Sequence, residues 1–132
     1  MVDQLITQHS QIHWARLQES PLLFKDSAGH VLFVGDSAHG MVPTLGQGAS
    51  QSMEDACVAG AMILRSAGRP VPQITSAIAA AREERIRFVM DLSMDATAAM
   101  LSGADGPLQM QRLRTPDYQA HFKRLWSDVT FG

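Results

Sequence analysis

Apolar residues fall along this chain in two different rhythms. Val31, Leu32, Phe33 and Val34 are consecutive, bounded by Asp26-Ser27-Ala28-Gly29 before and by Gly35-Asp36 after. A short, unbroken run rich in strand formers suits a strand buried on both faces, as in a parallel sheet. Asp and Ser leading into Gly29 signal a turn ahead of it. From about Ser50 the spacing becomes helical: Met53, Ala56, Cys57, Gly60, Ile63, Leu64 and Ala67 recur at three and four residues. Gly68 and Pro70 stop that helix, and Glu54 and Asp55 lie in its first turns, where negative charge suits the dipole. Pro72 opens a longer helix through Ile74, Ile78, Ala81, Arg85, Val89, Leu92 and Ala96, predicted to end near Gly103, with Gly106-Pro107 beyond. Arg85 interrupts an otherwise apolar stripe. Thr115 and Pro116 read as the cap and first residue of a last short helix. Residues 11–17, "QIHWARL", predict at most a short strand.

The pattern defines an α/β fragment, mostly helical. One parallel-type strand at about 31–34 is followed by a loop and two or three helices. All 132 residues form one partial domain: an entry segment (1–30), a strand–loop–helix unit (31–67), the long helix (70–103) and a C-terminal helical segment (107–132). The lone strand is the anomaly. An unpaired buried backbone group costs about 1–3 kcal/mol, and a small domain has only about 5–15 kcal/mol in hand. No second run of this type exists in the sequence. The sheet partners of Val31–Val34 are therefore expected outside this chain, in upstream polypeptide or another subunit. The rival expectation is a self-contained helical fold with 31–34 as a helix or loop plug.

Composition narrows the function classes. A formal net charge of −2 gives no basic field for nucleic acid or anionic membrane. The longest purely apolar stretch, "ACVAGAMIL", falls far short of the ~20 residues of a membrane span, and no basic-then-apolar leader opens the chain. Cys57 is the only cysteine, which rules out an internal disulfide and predicts a small packed hydrophobe. A soluble, cytoplasmic protein is expected. The five histidines take no metal-like spacing.

Candidate chemistry concentrates in "GDSAHGMVPTLGQGAS", residues 35–50. Ligands of open α/β sheets sit beyond the carboxyl ends of strands, where Gly35 and Asp36 stand. The Asp36 carboxylate is an acceptor for polyol hydroxyls. Pro43 stiffens the approach to Gly46-Gln47-Gly48, and the two glycines allow a sharp turn or a close approach to a ligand. The amides of Gly48, Ala49 and Ser50 open a helix and attract negative charge. His39 is read as ordering the loop through backbone hydrogen bonds rather than touching a ligand. Glu54 and Asp55 are read as a dipole or salt-bridge pair rather than an acid/base pair. Arg85 is read as pairing with a carboxylate or helix end of another segment, with substrate binding the lesser option. Met90, Met94, Trp14 and Trp126 are read as packing residues.

Gly35-Asp36-Ser37-Ala38-His39, Pro43, Gly46-Gln47-Gly48 and Glu54-Asp55-Ala56 together resemble the second flavin-binding motif of the class A, aromatic-hydroxylase group of FAD-dependent monooxygenases, with the para-hydroxybenzoate hydroxylase fold. The resemblance covers residues 20 to about 95. It implies that Asp36 binds the ribityl or ribose hydroxyls of FAD and that Pro43 lies beside the isoalloxazine ring. It places Gly46–Gly48 near the cofactor, with the amides of Ala49 and Ser50 at its pyrimidine edge. The group's Gly-x-Gly-x-x-Gly motif, its middle Asp-Gly motif and its substrate-domain sheet have no counterpart here. The implied identity is the C-terminal part or a subunit of a monooxygenase using NAD(P)H and O2 on an aromatic or heteroaromatic substrate. Its partner would be the missing N-terminal half, or self-association. The alternative is a stand-alone remnant without FAD, serving as a binding or assembly module or a flavin-free enzyme.

Overall fold

A computed structural model describes residues 15–101, 111 and 114–127. The elements in order are α1 (Asp36–His39), a 3-10 turn (Pro43–Leu45), α2 (Gly48–Leu64), α3 (Val71–Leu101) and α4 (Pro116–Ser127). The two long helices start and stop close to the sequence signals. Gly68, at φ +78°, turns the chain between them, and the Thr115 hydroxyl accepts the Tyr118 N–H at 3.4 Å to cap α4. Trp14, residues 11–14 and the Gly103–Pro107 stretch lie outside the described residues. Residues 15–17 are exposed and irregular rather than a strand.

The 31–34 run is not a parallel strand here. Its pairing is local: Lys25 and Leu32 form a single antiparallel bridge, flanked by Phe33 N–H to Phe24 O (2.8 Å) and Asp26 N–H to Val31 O (3.2 Å). The Asp26 carboxylate accepts the N–H groups of Val31 (2.8 Å) and Ala28 (3.2 Å) and closes the turn that the sequence signalled. The physical reason is the supply of partners. A ladder needs a neighbour on each edge, and the only one within the described residues is the segment just before the turn. Val31 and Val34 remain 49% and 42% exposed.

Two small apolar clusters hold the helices together. Phe24, Ala38, Ile86 and Met90 join the hairpin and α1 to α3. Val89, Leu92 and Leu125 join α3 to α4, with Leu45 of the 3-10 turn packed against them. Between α2 and α3 the buried contact includes a polar cluster. α2 buries Gln51, Glu54 and Asp55 beside Val58 and Ala59. The apolar stripe predicted for its core side is exposed instead: Met53, Cys57, Gly60, Ile63 and Leu64 all face outward. Cys57 is thus no packed hydrophobe. Met90 is buried, but Met94 is not, and Trp126 is 66% exposed among the described residues. Among the described residues no helix is long and apolar enough to cross a membrane.

Candidate functional site

The glycine loop is built on a buried charge cluster. Arg82 and Arg85 are three residues apart and therefore share one face of α3. Opposite them, Glu54 and Asp55 project inward from α2. Arg82 donates from Nε to Asp55 Oδ1 (2.8 Å), from Nη1 to Glu54 Oε2 (2.8 Å) and from Nη2 to Gln51 Oε1 (2.9 Å). Arg85 donates from Nε to Glu54 Oε2 (2.6 Å) and from Nη2 to Glu54 Oε1 (2.9 Å) and to the Leu125 carbonyl (2.9 Å). Two guanidinium groups thus face two carboxylates, and α2, α3 and the end of α4 are tied by the same side chains.

Asp55 carries this cluster into the loop. Its Oδ2 accepts the Gly35 N–H at 2.9 Å and His39 Nε2–H at 2.6 Å. Burial would push the Asp55 carboxyl up, but the hydrogen bonds from His39, Gly35 and Arg82 outweigh it and hold it below its ordinary range. Glu54 follows the same rule: burial raises it, and the bonds from Arg85 and Arg82 bring it lower. His39 is fully buried beside Phe24, and its Nδ1 has no partner among the described residues. It does order the loop, but through the Asp55 side chain rather than through backbone bonds. Glu54 and Asp55 are salt-bridged, and because α2 starts at Gly48 rather than near Ser50 they lie beyond its first turn. Arg85 takes both expected partners, a carboxylate and a helix-end carbonyl.

The backbone of Gly35 can lie where it does because it has no side chain. Its φ is +60°, and an added Cβ would meet Ser52 Oγ at 2.7 Å. From this fixed point Asp36 opens α1 with an exposed side chain. Its Oδ1 lies 3.6 Å from where a Cβ on Gly48 would stand, so the carboxylate sits beside the first residue of α2. That helix start carries no side-chain cap, and the amides of Gly48, Ala49 and Ser50 have no intrahelical partner. Gly46 closes the 3-10 turn at φ +64° with open space where a side chain would be. Pro43 and Gly46 are exposed, whereas the Gln47 side chain turns inward, toward the Leu45 carbonyl at 3.5 Å. Asp36, Pro43, Gly46, Gly48, Ala49 and Ser50 are thus brought together around one glycine-rich bend, with Gly35 behind them. A groove of about 580 Å³ borders the same turn, between Leu45, Leu92, Ala96, Tyr118 and Phe122. Among the described residues no group of three His, Cys, Asp or Glu side chains could hold a metal.

Arg82 and Gln51 were missed by the sequence reading. The available signal was the pair of arginines at i and i+3 on one helix and two adjacent carboxylates on the next.

The FAD binding domain family matches residues 8–93, well over half of the chain, and the chain belongs to that family. Among curated proteins it is similar to the FAD-dependent monooxygenase dmxR9 of Cryptosporiopsis sp. (strain 8999), 38% identical over 90 residues, 62% of this chain and 16% of that protein. It is also similar to the notoamide E oxidase notB of Aspergillus sp. (strain MF297-2), 34% identical over 79 residues, 59% of this chain and 17% of that one. The FAD-dependent monooxygenase nanF of Aspergillus nanangensis is 33% identical over 93 residues, covering 70% of this chain and 17% of its own length. The chain thus spans 16–17% of the length of these relatives. No solved structure matches it.

Proposed function

We propose that this chain is the C-terminal part or a subunit of an FAD-dependent monooxygenase with the para-hydroxybenzoate hydroxylase fold. In that role it serves hydroxylation of an aromatic or heteroaromatic small molecule with NAD(P)H and O2. The observation that carries the reading is the placement of an exposed Asp36 carboxylate beside the uncapped start of α2, fixed from behind by Asp55. These residues fit the chemistry of FAD. A carboxylate accepts polyol hydroxyls, and unpartnered amides at a helix start favour negative charge, a contribution of about 0.3–2 kcal/mol. Gly35, Asp36, Pro43, Gly46, Gln47, Gly48, Ala49 and Ser50 would hold the cofactor, Gln47 through its backbone because its side chain points inward. FAD, when bound, supplies dioxygen activation for hydroxylation. The chain's own part is to bind and orient: Asp36 accepts hydroxyls, and the first turn of α2 offers N–H groups to an electron-rich ring edge. The groove along Leu45, Leu92, Tyr118 and Phe122 offers an apolar, aromatic wall for the substrate.

Flavin uptake tests the proposal. The chain, alone or with a complementing N-terminal half, should acquire visible flavin absorbance, and Asp36→Ala should remove it while the far-UV circular dichroism stays the same. Unchanged affinity in Asp36→Ala takes Asp36 out of the site. No uptake under either condition favours a remnant that has lost FAD and acts as a binding module.

A further inference from the structure

We propose that the outward face of α2, together with the edge of the 31–34 segment that is unpaired among the described residues, is where the remaining polypeptide of the intact flavoprotein docks. This rests on the reading of the chain as part of an FAD-dependent monooxygenase, but its test has a separate readout.

α2 is built inside out. Its charged residues, Glu54 and Asp55, point inward onto Arg82 and Arg85. Its outward face carries Met53, Ala56, Cys57, Gly60, Ile63 and Leu64 with no charge among them. Met53 is 64% exposed and Leu64 85%. A helix that ends against water has the opposite arrangement, and contiguous apolar surface of this kind marks an interaction site. Gly60 gives a second, independent sign. A Cβ there would meet nothing within 4 Å, so nothing within the described chain calls for a glycine in mid-helix, where it disfavours the helical state. Close approach of another backbone supplies the reason.

The hairpin edge continues the surface. Residues 31 and 33 bond inward to 24 and 26, which in antiparallel pairing turns the N–H and C=O of Leu32 to the opposite edge. Gly35, just beyond that segment, packs against Ser52 of α2. At its N-terminal end the outward stripe begins at exposed Ala49, one of the residues assigned to FAD. A layer covering this face would therefore complete the cofactor site as well as bury the stripe. The curated relatives supply the occupant: more than four-fifths of their length lies outside the segment that matches this chain, which is 16–17% of it.

Cys57, the only cysteine, is a built-in reporter at the centre of the face. This chain is co-expressed with the part of the Cryptosporiopsis monooxygenase that lies outside its matched segment. Labelling of Cys57 by a thiol reagent is then followed by mass spectrometry. A one-to-one complex is expected, with Cys57 modification slowed about tenfold or more relative to the chain alone, because thiol reactivity follows access. Gly60→Lys should abolish the complex while leaving the chain as helical as before, since Lys is the better helix former. Failure to form a complex, labelling at the free-chain rate within it, or undiminished binding of Gly60→Lys each overturns the proposal. So does a chain that alone is a dimer with Cys57 shielded, because the occupant is then a second copy. Flavin absorbance is read separately. A protected but colourless complex leaves the docking face standing and removes FAD; a yellow complex with Cys57 open does the reverse.

Discussion

Replacing Asp55 with Asn changes one oxygen to a nitrogen and should unfold much of the chain's margin. Asp55 accepts from three donors: Arg82 Nε on one oxygen, Gly35 N–H and His39 Nε2–H on the other. An Asn side chain has one acceptor oxygen, so either Arg82 or the Gly35–His39 pair then faces an NH2 group. The charge balance shifts as well, leaving Glu54 alone against Arg82 and Arg85. Removing one partner of a buried ion pair costs about 3–5 kcal/mol, out of a total of about 5–15 kcal/mol for a domain of this size. Urea unfolding followed by circular dichroism reads the loss. With a slope of about 1–3 kcal/mol per molar urea, the midpoint should fall by roughly 2 M. Glu83→Ala is the control, because its pair with Arg87 lies at the surface and contributes about 0.3–0.5 kcal/mol. A loss below about 1 kcal/mol in Asp55→Asn, the size of one ordinary hydrogen bond, would refute the view that this cluster ties the helices together.

Other consequences are as open to measurement. Glu54 and Asp55 ionise below their ordinary values of 4.5 and 3.8; their contribution to stability is therefore complete above those values and is lost as the pH falls through the lower folded-state ones. Acid unfolding should begin below about pH 4, and a loss of helicity already under way at neutral pH would contradict the assignment. Gly35→Ala and Gly46→Ala share a positive φ, but only the first adds a clash, with Ser52 Oγ at 2.7 Å. Gly46→Ala should cost about 1–2 kcal/mol from backbone strain alone and Gly35→Ala clearly more by denaturant titration; equal losses would remove the Gly35–Ser52 contact from the account. Thr115→Ala should cost about 0.5–2 kcal/mol, with fraying confined to α4 in hydrogen exchange.

Helix ends were legible because local chemistry sets them: Gly68 and Pro70 between α2 and α3, and Thr115-Pro116 at the start of α4, act through φ preferences and caps. The bend at Gly46 was legible for the same reason, whereas the short helix Asp36–His39 and the 3-10 turn Pro43–Leu45 inside the expected loop were not; Arg85 stood out because a charge on an apolar stripe must find a partner. The inward face of α2 was not legible. Periodicity shows that Met53, Cys57, Gly60 and Leu64 share a side, but not which side meets the rest of this chain. Here two arginines on α3 bring Glu54 and Asp55 inward, so the apolar side is left outside. The Val31–Val34 run failed in a related way. Composition reports a strand's preference, while pairing depends on neighbours, and the described chain offers only Lys25 and its flanks.

Arg85 holding both Glu54 and the Leu125 carbonyl, while Arg82 holds Glu54, Asp55 and Gln51, makes the interior one connected polar network instead of a set of independent contacts. A random library built on this sequence should tolerate few single changes at these five positions and recover survivors mainly as matched exchanges, in which a lost anion is accompanied by a lost cation. Drift in such an interior proceeds by coordinated jumps, whereas the oily patches around Ile86 and Val89 can wander one methyl group at a time.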